Sequence, residues 1–381
     1  MKYYLIAGEA SGDLHASQLI AALRERDPQA QFQFLGGDKM AAAAGVQPVI
    51  HYRDMAYMGF IEVAKHLPAI LGFLRTAREG IASWRPDAVI LVDYPSFNLK
   101  VARAAHEMGI KVFYFISPKV WAWKQWRVRD IRKWVDRMFS ILPFEPAWYR
   151  QHDYEVTYVG NPTVAEVDAT LAAAPNRADF IAAHGLDERP IIALVPGSRI
   201  KEINDNLPVM LEATRLVGDD YQVAIAGAPA IDDSVYSGVL SRCGLTAPIL
   251  RDVTMELVHH SRAAVVTSGT ATLETALAGA PQVACYRMNG SKWVYRFYRR
   301  LLHGNYVTLP NLIVDAPLIP ELLLHNCTPD AIAQHLRTLL PDGPQRTAML
   351  DGYTHMRTLL TTQPCALTTA KLIIGELRDE S

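Results

Sequence analysis

Three short stretches of the sequence place glycine beside hydroxyl or charged residues directly after an apolar run, an arrangement that can open a backbone turn to a ligand. In the first, Gly8-Glu9-Ala10-Ser11-Gly12-Asp13, the glycines permit tight geometry and Asp13 is placed to cap the following helix. Two acids in so short a span argue against a phosphate cradle and favour sugar hydroxyls, which makes Glu9, Ser11 and Asp13 the candidate residues. In the second, Pro196-Gly197-Ser198-Arg199, Gly197 frees the turn and Arg199 offers a permanent fork of donors to phosphate or carboxylate. The third runs Thr267-Ser268-Gly269-Thr270-Ala271-Thr272-Leu273-Glu274. Its small residues leave room at a helix start, where free N–H groups suit a diphosphate. Glu274 follows Thr270 by four positions rather than the three of a capping box, and so is available to ligand hydroxyls. Each stretch also reads as a plain strand-to-helix turn, and the first lacks the GxGxxG spacing of a dinucleotide site.

Positioning such turns needs strands that end where the turns begin. Short apolar runs at 3–7, 31–35, 48–51, 88–92, 111–115, 137–142 and 155–159 predict buried parallel strands, with helices between them. The longest early helix is expected at 61–83, stopped by Trp84-Arg85-Pro86-Asp87. A second alternation follows. Strands are expected at 191–195, 221–226, 247–250, 263–267 and 281–285, and helices at 202–217, 233–241, 254–260 and 270–278. The chain therefore divides into an α/β domain at 1–165, a connection at 166–188 and a second α/β domain at 189–345. Residues 346–381 form a helical tail that either caps the second domain or crosses back to the first.

Composition narrows the function. The 381 residues are 50% hydrophobic and 20% charged, enough to bury large cores, which excludes wholesale disorder. A net charge of −1 gives no support to nucleic-acid binding. Cys243, Cys285, Cys327 and Cys365 are scattered and form no CxxC pair; His325 beside Cys327 is too sparse for a zinc site. No DxD pair is present to hold a divalent ion, and neither a signal-peptide pattern nor an 18-residue apolar run occurs. A cytoplasmic protein without metal or cofactor is the expectation.

Six anchors, in order, resemble the lipid-A-disaccharide synthase family. They are Gly8–Asp13, Ser117-Pro118-Lys119-Val120-Trp121-Ala122-Trp123, Pro196–Arg199, Ser268-Gly269-Thr270, Tyr286-Arg287-Met288 and Leu309-Pro310-Asn311. The resemblance implies a GT-B fold, with two doubly wound Rossmann-like domains facing a cleft. It implies transfer of 2,3-diacylglucosamine from its UDP derivative to 2,3-diacylglucosamine 1-phosphate. The product is the β-1,6-linked disaccharide 1-phosphate plus UDP, formed with inversion and without a required metal.

That reaction needs a carboxylate to deprotonate the acceptor's 6-hydroxyl. Asp93 stands immediately beyond strand 88–92, at the functional edge of an open sheet, and the resemblance places the base there. Tyr94 precedes Pro95 and is expected to be extended, holding Asp93 outside the next helix. On the donor side the resemblance carries over Arg199 for diphosphate, Ser268, Gly269 and Thr270 at the helix start, Glu274 for donor hydroxyls, and Asn311 to complete the pocket. Two positions depart from the family: Ser96 stands where many members have an acid, and Gly160-Asn161-Pro162 replaces Gly-His-Pro.

A diacylated substrate suggests a membrane surface. Residues 119–137 carry seven basic residues against two acids, with Trp121, Trp123, Trp126 and Trp134 among them. At 291–301, Lys292, Arg296 and Arg299 line one helical face and Trp293, Phe297 and Leu301 another. Lipid or membrane contact is expected through Trp121, Trp123, Lys292, Trp293, Arg296, Phe297 and Arg299, giving peripheral attachment to the anionic cytoplasmic face of the inner membrane. Buried aromatic packing is the alternative for both patches. The competing functions are another nucleotide-sugar enzyme, such as a GT-B epimerase, and a non-catalytic lipid or nucleotide binder. Oligomeric state is left open.

Overall fold

A computed structural model describes residues 1–55, 67–121, 124–287, 306–360 and 363–379. Two compact units emerge: Met1–Pro162 with Thr362–Ser381, and Thr163–Thr361.

The first unit is built on seven parallel strands: β1 (Lys2–Ala7), β2 (Gln31–Gly36), β3 (Ile50–His51), β4 (Ala88–Val92), β5 (Lys111–Phe115), β6 (Arg137–Ser140) and β7 (Val156–Tyr158). Their order is β3-β2-β1-β4-β5-β6-β7. Helices cover both faces, which is why the central strands read as unbroken apolar runs. Along β1, Tyr3, Leu5 and Ala7 enter one core with the helix Ala10–Arg26, while Tyr4 and Ile6 enter the other with the helices Leu67–Trp84 and Pro95–Glu107.

The second unit has six parallel strands: β8 (Ile191–Val195), β9 (Gln222–Gly227), β10 (Ile249–Arg251), β11 (Ser261–Thr267), β12 (Gln282–Tyr286) and β13 (Glu321–Leu323), in the order β10-β9-β8-β11-β12-β13. The three-residue β13 follows Pro320 and carries no periodicity that sequence reading could use. β3 is shorter than the expected 48–51, because Pro48 has no N–H to give to a ladder.

The expected connection is itself folded. Pro162–Ala173 and Arg177–His184 are helices, separated at Pro175, with Asn176 capping the second through a 3.0 Å bond from the Asp179 N–H. The unit boundary falls between Pro162 and Thr163. Three helices make up the chain end. Pro329–Leu339 and Pro344–Leu359 belong to the second unit. Cys365–Asp379 joins the first, where Cys365, Ala370, Ile373 and Ile374 enter the core beneath Ala10–Arg26 and Glu376 pairs with Arg137 at 3.1 Å. Among the described residues no helix is long and apolar enough to cross a membrane.

Candidate active site

In a doubly wound sheet the strand order reverses at one point, and the crevice there, at the strands' C-terminal ends, receives ligands. In the first unit that point lies between β1 and β4, which run side by side. The Gly8–Asp13 turn leaves β1 and Asp93 leaves β4, so two sequence features 80 residues apart meet at one edge.

Asp93 is half-buried and its backbone is left-handed, with φ 45°. Tyr94 is also left-handed at φ 47° and ψ 55°, which corrects the extended conformation expected before Pro95. Proline disfavours that conformation, but the neighbourhood over-determines it. Asn98 Nδ2 donates to the carbonyls of Val92 and Asp93 at 3.2 and 2.6 Å, and the Tyr114 hydroxyl donates to the Asp93 carbonyl at 2.5 Å. The Tyr94 ring then lies directly over Gly8, where a Cβ would come within 2.4 Å of it. Gly8 is thus required by close approach.

The Asp93 carboxyl is pushed up to about 6, first by burial and then by the negative charge of Glu9; Lys119 and a hydrogen bond from the Tyr94 backbone pull the other way. A carboxylate titrating there is ionised at neutral pH and still basic enough to accept a proton from an alcohol as it attacks. Glu9 sits at the start of Ala10–Arg26, and its carboxylate accepts a 2.9 Å bond from the exposed Ser11 hydroxyl.

The second unit repeats the geometry with other chemistry. Its strand order reverses between β8 and β11, again neighbours, and the Pro196–Arg199 and Ser268–Thr270 turns leave their C-terminal ends. Gly269 and Thr270 are exposed at the start of the helix Thr270–Leu277, which no side chain caps, and a Cβ on Gly269 would meet nothing closer than 4.0 Å. The helix start is open to an anion. Gly197 has φ +116°, and a Cβ there would strike Glu202 at 2.6 Å. Glu202, unnoticed in the sequence, pairs with Arg199 at 3.1 Å and accepts the Ser198 N–H at 3.1 Å. The Arg199 side chain is 62% exposed. Glu274 is half-buried, its carboxyl raised by burial and then by Glu166.

A family model described as lipid-A-disaccharide synthetase matches residues 3–372. The lipid-A-disaccharide synthase of Myxococcus xanthus is 40% identical over 357 residues, covering 93% of this chain and 91% of its own. That of Acidobacterium capsulatum is 36% identical over 373 residues, covering 94% and 92%. The chain belongs to the lipid-A-disaccharide synthase family. Among solved structures it is similar to the calicheamicin glycosyltransferase CalG4, with a TM-score of 0.61 at 15% identity, covering 100% of this chain and 99% of that one. The Rossmann-like units are those of a GT-B fold, and family membership makes the chain an inverting glycosyltransferase that draws on a UDP-sugar donor.

Several residues expected at the synthase site do other work. Asp13 does not cap its own helix: it lies within the first turn, 3% exposed, and accepts the N–H groups of Gly37, Lys39 and Met40 at 2.7, 3.1 and 3.2 Å. It caps the helix Asp38–Ala44 instead, and its carboxylate is committed there. Asn311, expected in the donor pocket, is 1% exposed. Its side chain donates to the Ile319 carbonyl at 3.0 Å and Glu321 at 2.9 Å and accepts the Ile319 N–H at 2.8 Å. These bonds pin the helix Leu309–Val314 to β13.

Trp121, expected at a lipid surface, is 7% exposed and donates its indole N–H to the buried Glu145 at 3.0 Å, with Phe144 edge-on at 5.1 Å. Its ring is core. Burial drives the Glu145 carboxyl up to about 8, so it is neutral at pH 7 and steadies the signature loop rather than charging it. Among the described residues of this stretch the exposed tryptophan is Trp126. Asn161, at the departure from Gly-His-Pro, is buried and donates to the Ile141 carbonyl at 2.9 Å. Trp123, Lys292, Trp293, Arg296, Phe297 and Arg299 lie outside the described residues.

Proposed function

We propose that this enzyme transfers 2,3-diacylglucosamine from UDP-2,3-diacylglucosamine to the 6-hydroxyl of 2,3-diacylglucosamine 1-phosphate, releasing UDP and inverting the donor's anomeric carbon. The observation that carries the reading is the switch-point carboxylate Asp93. Partial burial and Glu9 tune it to about 6, on a chain matched by the family model over residues 3–372. Asp93 takes the proton of the acceptor's 6-hydroxyl as the oxygen attacks. Glu9 raises the basicity of Asp93 and, with Ser11, contacts acceptor hydroxyls. Asp13 supports the turn from below. In the second unit Arg199 and the N–H groups at Ser268, Gly269 and Thr270 hold the diphosphate and offset charge on the departing UDP, while Glu274 takes donor hydroxyls. Asn311 acts by shaping the loop.

A diacylated substrate favours work at the cytoplasmic face of the inner membrane. Exposed Trp126 and the net charge of +5 across residues 119–137 support peripheral contact with anionic lipid. The decisive experiment incubates purified protein with both defined diacyl substrates and determines product mass and linkage. A β-1,6-linked disaccharide 1-phosphate with equimolar UDP is expected. An epimerised sugar without a new linkage, or no turnover, would overturn the reading.

A further inference from the structure

A guanidinium is costly to bury unless an anion and hydrogen-bond acceptors surround it. Arg127 is 8% exposed, yet among the described residues it has no carboxylate at ion-pair distance. One terminal nitrogen donates to Ser96 Oγ at 2.7 Å, and the group lies 5.7 Å from the centroid of the Trp126 ring. Asp130, one turn on, acts on it only as a nearby charge, and loss of water holds the guanidinium below its ordinary value. Half-buried Lys124 accepts the Arg127 N–H on its carbonyl at 3.0 Å. Its ammonium is likewise held down, by burial and then by the Arg127 charge. Two cations are kept together where they repel.

The bond to Ser96 sets Arg127 beside the turn that carries the candidate base. Ser96 is the third residue after Asp93, so their Cα atoms are at most about 11 Å apart, and Tyr114, bonded to the Asp93 carbonyl, also feels the Arg127 charge. In a hexopyranose, carbons 1 and 5 flank the ring oxygen and carbon 6 hangs from carbon 5. A 1-phosphate and a 6-hydroxyl therefore share one edge of the sugar, within that span.

We propose that Arg127, seated on Ser96 with Lys124 beside it, forms the subsite for the acceptor's 1-phosphate. The proposal rests on the reading of Asp93 as base to the acceptor's 6-hydroxyl. The phosphate supplies Arg127 with a counter-charge and accepts its planar donor fork. Held by its anomeric end, the sugar turns its 6-hydroxyl toward Asp93.

The test compares 2,3-diacylglucosamine 1-phosphate with the same acceptor lacking phosphate, on wild-type enzyme and on Arg127→Gln and Arg127→Lys. Wild type should prefer the phosphorylated acceptor by about tenfold to a hundredfold in kcat/KM, the scale of a charge-assisted contact. Arg127→Gln should lose most of that preference through acceptor KM while donor KM stays within about twofold, and Arg127→Lys should keep part of it. Equal use of both acceptors by wild type would overturn the proposal without any variant. A folded Arg127→Gln enzyme with unchanged preference would also overturn it. If wild type forms no disaccharide from the phosphorylated acceptor, the functional reading has failed first.

Discussion

The two sheets reverse their strand order at the same topological address and furnish it in opposite ways. At β1/β4 the edge is acidic, half-buried and strained: Asp93 and Tyr94 are left-handed, and Glu9 adds charge. At β8/β11 it is open, with exposed Gly269 and Thr270 and an exposed Arg199 paired with Glu202. Backbone topology selects where a site stands; enclosure and charge select what it does there. An enclosed carboxylate gains basicity, whereas an open helix start keeps its N–H groups for an incoming anion.

The sharpest way to break this contrast is Asp93→Asn. Turnover should fall by about 10²–10⁴-fold with donor affinity preserved; steady-state kinetics beside UDP-sugar titration checks it, and near-normal turnover in folded protein would end the assignment. The matching strike on the other sheet, Arg199→Ala, should raise donor KM by about tenfold to a hundredfold and leave the acid limb of the pH profile in place.

Next in size are two effects on stability. Glu145 titrates near 8 rather than at its ordinary 4.5, so its contribution is full below 4.5 and is lost as pH rises through 8. Glu145→Gln should flatten the fall in Tm that wild type shows over that interval, as read by thermal melts from pH 4 to 9. Asn311→Ala should cost about 1–3 kcal/mol in denaturant titration, because it strands buried partners; a change confined to donor KM would restore Asn311 to the pocket. The smallest effect sharpens the acidic edge. Since Glu9 raises Asp93 and Lys119 lowers it, Glu9→Gln should move the limb of acceptor kcat/KM near pH 6 to lower pH, and Lys119→Met should move it higher.

Much of this was legible locally. β1, β4, β8 and β11 announce themselves as apolar runs, and the turns after them carry the glycine, hydroxyl and charged residues that chemistry requires. What escaped is non-local. Nothing near Asp93 says that β4 pairs with β1, because strand order is settled by crossovers of some 80 residues. Asn311 looks like a pocket residue until a strand with no periodic signal brings Glu321 beneath it, and Trp121 looks like a membrane anchor until Glu145, 24 positions on, accepts its N–H. Tyr94 broke a sound local rule because Asn98, Tyr114 and the bare face of Gly8 together outweigh the preference imposed by Pro95.

The helix Cys365–Asp379 completes the core that begins with β1. During synthesis, then, the first unit stays unfinished until Cys365–Asp379 has emerged, by which time Thr163–Thr361 has all of its own chain in hand. A stop codon around position 364 would leave every residue of both candidate edges in place and still uncover the part of the core that Cys365, Ala370, Ile373 and Ile374 complete. Closure of the first core thus waits on this fifteen-residue helix.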